Sequence, residues 1–95
     1  MTHTTEWNVR VHLSEDGGRT TARVELDTGA AAFTGTGTAR CAPGDRDVPE
    51  IGDEFAAGRA LRDLGDRLLQ TAEHDVEARG AGPEPRTSTP YGWSL

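Results

Sequence analysis

Trp7, Val9, Val11 and Leu13 alternate with Glu6, Asn8, Arg10 and His12, a period of two that puts the apolar set on one face of a strand. That face is expected to point into the core. Ser14–Gly18 (SEDGG) holds an Asp-Gly step and a second glycine able to take positive φ, the chemistry of a hairpin turn. A second strand is predicted over Arg19–Leu26, with Ala22, Val24 and Leu26 inward and Thr21, Arg23 and Glu25 outward. Asp27, Thr28 and Gly29 then turn the chain. A third strand is predicted over Phe33–Cys41, where Phe33, Gly35, Gly37, Ala39 and Cys41 share a face whose middle has almost no side chain. Thr34, Thr36, Thr38 and Arg40 take the other face.

The loop Ala42–Pro49 is rich in turn formers. Asp47 and Glu50 have capping-box spacing, with a proline tolerated in a first helical turn. From Glu50 to Arg79 the period changes to that of a helix. At 100° per residue, Ile51, Phe55, Gly58, Leu61, Leu64, Gly65, Leu68, Leu69, Ala72 and Val76 fall in an arc of roughly 180°, wide enough to cover a sheet. Arg62 with Asp66 and Asp63 with Arg67 sit four apart and favour helix. Arg79 followed by Gly80 suggests a dipole-friendly end and a left-handed cap, and Pro83 stops continuation. The predicted fold is α+β: a two-layer β-β-β-α arrangement, with a three-stranded antiparallel sheet covered on one face by a long C-terminal helix. Residues 1–5 read as a flexible N-terminus, 6–79 as one domain, and 80–95 as a Pro/Gly-rich tail.

Glycine inside a helix costs about 1 kcal/mol relative to alanine, so Gly58 and Gly65 near the centre of the apolar arc need an offset. They are expected to lie over Gly35 and Gly37, letting helix and sheet backbones approach closely. The small-residue run Ala56–Leu61 also reads as helix-on-sheet packing.

Ile51-Gly52-Asp53-Glu54, Arg59-Ala60-Leu61, Asp63-Leu64 and Asp75-Val76-Glu77 resemble the signature of a small, mostly actinobacterial domain-of-unknown-function family. Its fold is described as like that of the double-stranded-RNA-binding domain (dsRBD-like). The resemblance covers about residues 6–78 and implies the same β-β-β-α layer, without the N-terminal helix of the RNA-binding group. It carries no activity, cofactor or catalytic residues. RNA-binding members present a lysine cluster at the start of the final helix. Here that place is Pro49-Glu50-Ile51-Gly52-Asp53-Glu54, three acids where phosphates would lie, which argues against duplex RNA.

The 95 residues include 16 acids and 10 basic residues, all arginine, for a formal charge of -6, which repels phosphate backbones over most of the surface. With 34% hydrophobic and 5% aromatic residues, the core is modest. No apolar run approaches the ~20 residues that span a bilayer, and the start lacks the pattern of a signal peptide. A cytoplasmic protein without membrane contact is expected.

His3, His12 and His74 lack metal-site spacing, so no metal and no cofactor is expected. Ser14, His12 and Asp16 can be written as a triad, but neighbours on one strand and turn seldom converge on one atom. Cys41 is expected to face the core. Gly35-Thr36-Gly37 has no helix start after it and reads as packing. No catalytic set emerges, and a non-enzyme is expected.

Two surfaces stand out. Arg10, His12, Arg19, Arg23 and Arg40 fall on the sheet's open face against only Glu6 and Glu25, a candidate interaction face for an anion, nucleic acid or acidic partner. The helix, about 45 Å long at 1.5 Å per residue, outruns a strand of ~27 Å, so Ala72 and Val76 overhang the sheet. Tyr91, Trp93 and Leu95 alternate in the tail as an added edge strand would. These five are candidate oligomer or tail contacts. The leading expectation is a small non-enzymatic interaction or structural protein that self-associates, with a dimer favoured; the alternative is a nucleic-acid or anion-binding module using the arginine face.

Overall fold

The computed structural model describes residues 2–42, 44, 46 and 48–81. Strands β1 (Val9–Asp16), β2 (Arg19–Asp27) and β3 (Ala32–Arg40) form one antiparallel sheet in the order β1-β2-β3, followed by helix α1 (Pro49–Val76). The α+β layer read from the sequence is the observed fold. Gly17 and Gly18 make the β1–β2 turn with φ of 57° and 77°. Positive φ at both central residues matches the right-handed twist of a two-residue hairpin. The β2–β3 turn is held by the Asp27 carboxylate, which accepts from Gly29 N–H at 2.8 Å, and by Thr28 N–H donating to Ala31 C=O at 2.9 Å.

The core is small: Ala22, Val24 and Leu26 from β2, Ala39 from β3, and Ala56, Ala60 and Leu64 from α1, with Phe33 and Leu68 packed at its rim. α1 lies over β3 and β2 and barely touches β1. Gly35 and Gly37 are the reason it comes so close. A Cβ on Gly35 would stand 2.5 Å from Ala60 C=O and 2.6 Å from Leu64 N, and one on Gly37 would stand 2.5 Å from Ala56 C=O.

The close approach therefore exists, but its helical side is not Gly58 and Gly65. A Cβ on either would meet nothing within 4 Å. Ala56, Ala60 and Leu64, four apart, form the contact line. The expected apolar arc was centred wrongly for the same reason. Onto a sheet floored by glycine, a helix settles deepest along its smallest residues, which turns Ile51 (50% exposed), Phe55 (56%) and Leu69 (64%) outward.

The first strand also departs from expectation. It begins at Val9 rather than Trp7, and its apolar face is only half covered because α1 sits over the other two strands. The N-cap of α1 is Val48, with no side-chain cap, and Pro49 opens the helix, one residue later than the capping-box spacing suggests. Asp47 lies outside the described residues. The helix passes Arg79 as a π-helical stretch, Glu77–Ala81, rather than ending there. Cys41 lies just beyond β3, half-buried, its thiol directed to the carbonyls of Ala42 and Arg46 at 3.7 and 3.6 Å; it belongs to the loop and not to the core.

Candidate functional site

The sheet's open face carries the five residues singled out for interaction. Arg10, His12, Arg19, Arg23 and Arg40 are all exposed there. Register places Arg10 across from Glu25, His12 from Arg23, and Arg19 between Asp16 and Arg40. His12 Nε2 lies 2.8 Å from Glu25 Oε1. That hydrogen bond, with Arg23 nearby, holds the Glu25 carboxyl below its ordinary value. The register also brings Asp16 and Asp27 onto this face, so four arginines meet three acids within the strands and the positive excess is smaller than the spacing alone suggested. Asp16 and Asp27 close the strand ends at the turns, and a turn-based reading hides the face they share.

Arg19 and Arg40 are cross-strand neighbours of like charge, an arrangement that repels. With Arg59, Thr38 and Ala39 they line a surface hollow of about 380 Å³. Arg59 was not anticipated, because helical periodicity put it on the wet face. It reaches around β3 instead: its guanidinium donates to Thr38 C=O at 2.7 Å and stands 5.2 Å from the centre of the Phe55 ring.

Asp63 makes the complementary contact. Its carboxylate accepts from Thr36 N–H at 2.9 Å and from Arg67 Nε at 3.3 Å. The Thr36 hydrogen bond is the main cause of an Asp63 carboxyl held below its ordinary value; burial opposes it and Arg67 assists. Thr36 and Thr38 turn their backbone groups away from β2, and the two helical side chains take one of these groups from each, the Thr36 N–H and the Thr38 C=O. Alternation across the sheet then fixes the opposite edge. Thr36 faces outward, its partner Arg23 faces β1, and His12 across from Arg23 faces β2. Val9, Val11 and Leu13 consequently direct N–H and C=O outward. Among the described residues nothing bonds to them.

On the helix side of the sheet, the side chains of Val9 (43% exposed), Val11 (44%) and Leu13 (44%) lie beside a helix flank that includes Leu61 (44%). Leu61 projects from the flank opposite Arg59 and Asp63, toward β1. An apolar strip therefore runs along the uncovered edge strand.

The remaining candidates do not converge. His3, His12 and His74 lie before β1, on β1 and near the end of α1, and among the described residues no group of His, Cys, Asp or Glu is placed to hold a metal. His12 turns to Glu25 rather than completing a set with Ser14 and Asp16. Ala72 is exposed and Val76 half-buried on the overhanging part of α1. Tyr91, Trp93 and Leu95 lie outside the described residues. No helix among the described residues is long and apolar enough to cross a membrane.

The model of the Rv2632c-like family matches residues 5–84. The chain belongs to that family. Uncharacterized protein Mb1767 of Mycobacterium bovis is 46% identical over 72 residues, 76% of this chain and 77% of that protein. Uncharacterized protein Rv2632c of Mycobacterium tuberculosis is 39% identical over 70 residues, 74% of this chain and 75% of its own. The crystal structure of Rv2632c matches with a TM-score of 0.78 at 34% identity, covering 86% of this chain and 98% of that one. The resemblance drawn from the helix motifs is thus to the right family. Those motifs have a structural reading: Ala60 and Leu64 sit on the glycine floor, Arg59 and Asp63 cap the β3 edge, and Gly52 abuts the buried Thr20. They build the layer and leave function to its surfaces.

Proposed function

We propose that this protein is a non-enzymatic interaction module that self-associates as a symmetric dimer. One observation carries the reading: the helix-side face of β1, with Leu61 beside it, is left uncovered by a helix that lies over β2 and β3. Trp7, Val9, Val11, Leu13 and Leu61 together expose on the order of 400 Å² of largely apolar surface, the size of the largest patch on a typical monomer, which is often an interaction site. The small core favours the same conclusion, since domains of this size commonly gain stability by association. The overhang at Ala72 and Val76, expected to be the contact, offers less apolar area than β1 does. Light scattering on the full chain tests the reading: twice the chain mass at micromolar concentration supports it, and a monodisperse monomer removes it.

A second reading has its own observation, the hollow formed by Arg19, Arg40 and Arg59. Three guanidiniums with one like-charge pair suit a small anion or an acidic side chain on a partner. Duplex RNA is not favoured, because Glu50, Asp53 and Glu54 stand at the start of α1. Titration with inorganic phosphate, followed by the amide signals of Thr38–Arg40, should shift them in the wild type and not in Arg19→Ala/Arg40→Ala. Absence of any shift at millimolar phosphate would remove the anion reading.

A further inference from the structure

The two edges of this sheet are treated differently. On β3, Asp63 receives the Thr36 N–H and Arg59 fills the Thr38 C=O, so a strand arriving there would have to displace both. On β1, the outward groups of Val9, Val11 and Leu13 have no partner among the described residues. An exposed edge is a template for another strand unless charge, proline or a bulge blunts it. β1 runs eight residues in unbroken register with β2, without proline, and of its charged residues Glu15 and Asp16 stand at its end, leaving Arg10 alone within Val9–Leu13.

We infer that a second copy of this chain docks here by antiparallel β1-to-β1 pairing centred on Val11, joining two sheets into one of six strands with both helices on the same side. The inference rests on the self-association reading and adds its site, geometry and register. A two-fold axis at Val11 sets Val11 against Val11 of the second copy and Val9 against its Leu13. Every outward N–H and C=O of these residues then meets a complement, and the half-exposed apolar side chains close on one another beneath the two Leu61 flanks. On the open face the same register sets Arg10 across from the second copy's His12, which is bonded to Glu25, so a guanidinium approaches a histidine–carboxylate pair rather than another arginine. Shifting the axis to Arg10 opposes two arginines. Shifting it to His12 opposes two histidines and places Glu15 against Val9. Of these three registers, only the axis at Val11 matches Val9, Val11 and Leu13 among themselves without opposing like side chains at the centre of the open face.

The test uses the full-length chain in four forms. Wild type should sediment as a dimer at micromolar concentration. Val11→Lys, at a side chain already half-exposed in the protomer, should keep its far-UV circular dichroism and sediment as a monomer, with dimer affinity reduced at least about tenfold. In a Cys41→Ser background, Val11→Cys should form a covalent dimer on oxidation, because bonded antiparallel partners stand about 5.5 Å apart at Cα. Leu13→Cys should not, its counterpart lying four residues away along the seam. A monomeric wild type overturns this inference together with the self-association reading. A dimer that survives Val11→Lys and does not cross-link through Val11→Cys overturns the β1 seam alone. If Val11→Lys loses its fold, the two cysteine variants decide. A monomeric wild type whose Trp93 emission moves to the red in Val11→Lys would assign the edge to the chain's own tail, which also overturns docking of a second copy.

Discussion

Gly35 and Gly37 set the depth at which the helix sits, since any Cβ there would drive into the α1 backbone and not into a movable side chain. Gly35→Ala or Gly37→Ala is expected to destabilise the fold by roughly 1 to 3 kcal/mol through overpacking, seen as a lowered midpoint in urea. An unchanged midpoint for both would mean the layers are not in close contact. Gly58 is the reverse case. It is exposed, a Cβ there would meet nothing within 4 Å, and it carries only the entropic penalty of a helical glycine. Gly58→Ala should stabilise by about 1 kcal/mol, and a destabilised variant would show an undetected neighbour.

At the scale of elements, α1 acts on β3 in two ways: by the Ala56–Ala60–Leu64 line beneath it, and by the Arg59 and Asp63 side chains along its edge. The second contact titrates. Asp63 is lower in the folded chain than its ordinary value, so its contribution is complete above that value and is lost as pH falls through the depressed folded one. Asp63→Asn keeps an acceptor oxygen but removes the titration. Thermal midpoints of the variant should therefore fall less steeply than the wild type's below about pH 4. Parallel slopes would mean Thr36 does not hold this carboxyl. Glu25, lowered chiefly by His12, acts in the same direction, so the slope should flatten without vanishing.

The three strands, the Gly17–Gly18 hairpin and the presence of one long helix are legible in the residues, because period two, period 3.6 and turn chemistry are local signals; the start of β1 and the end of the helix are not. The rotation of the helix on the sheet was not. A periodic arc weights large apolar side chains, whereas a glycine floor rewards the smallest ones, and the run Ala56–Leu61 was the signal that could have oriented it. The arginine face was legible from alternation, but its charge was overestimated because Asp16 and Asp27 were assigned only to turns. The edge contacts of Arg59 and Asp63 join residues 21 and 27 apart, and no local pattern reports them.

For the whole molecule, a helix placed to one side of its sheet blocks one edge at Thr36 and Thr38 and leaves the other bare, with apolar side chains along the bare one. The central claim is that a second copy closes this bare edge, and amide hydrogen exchange reads it residue by residue. Arg10 and His12 turn their N–H groups toward β2, so they should be protected at every concentration and serve as the internal reference. Val9, Val11 and Leu13 turn theirs outward. In a β1-paired dimer they should become protected as concentration rises through the micromolar range, and Val11→Lys should abolish that gain. If Val9, Val11 and Leu13 exchange at the rate of exposed amides at all concentrations while Arg10 and His12 stay protected, β1 is a free edge and the account is contradicted.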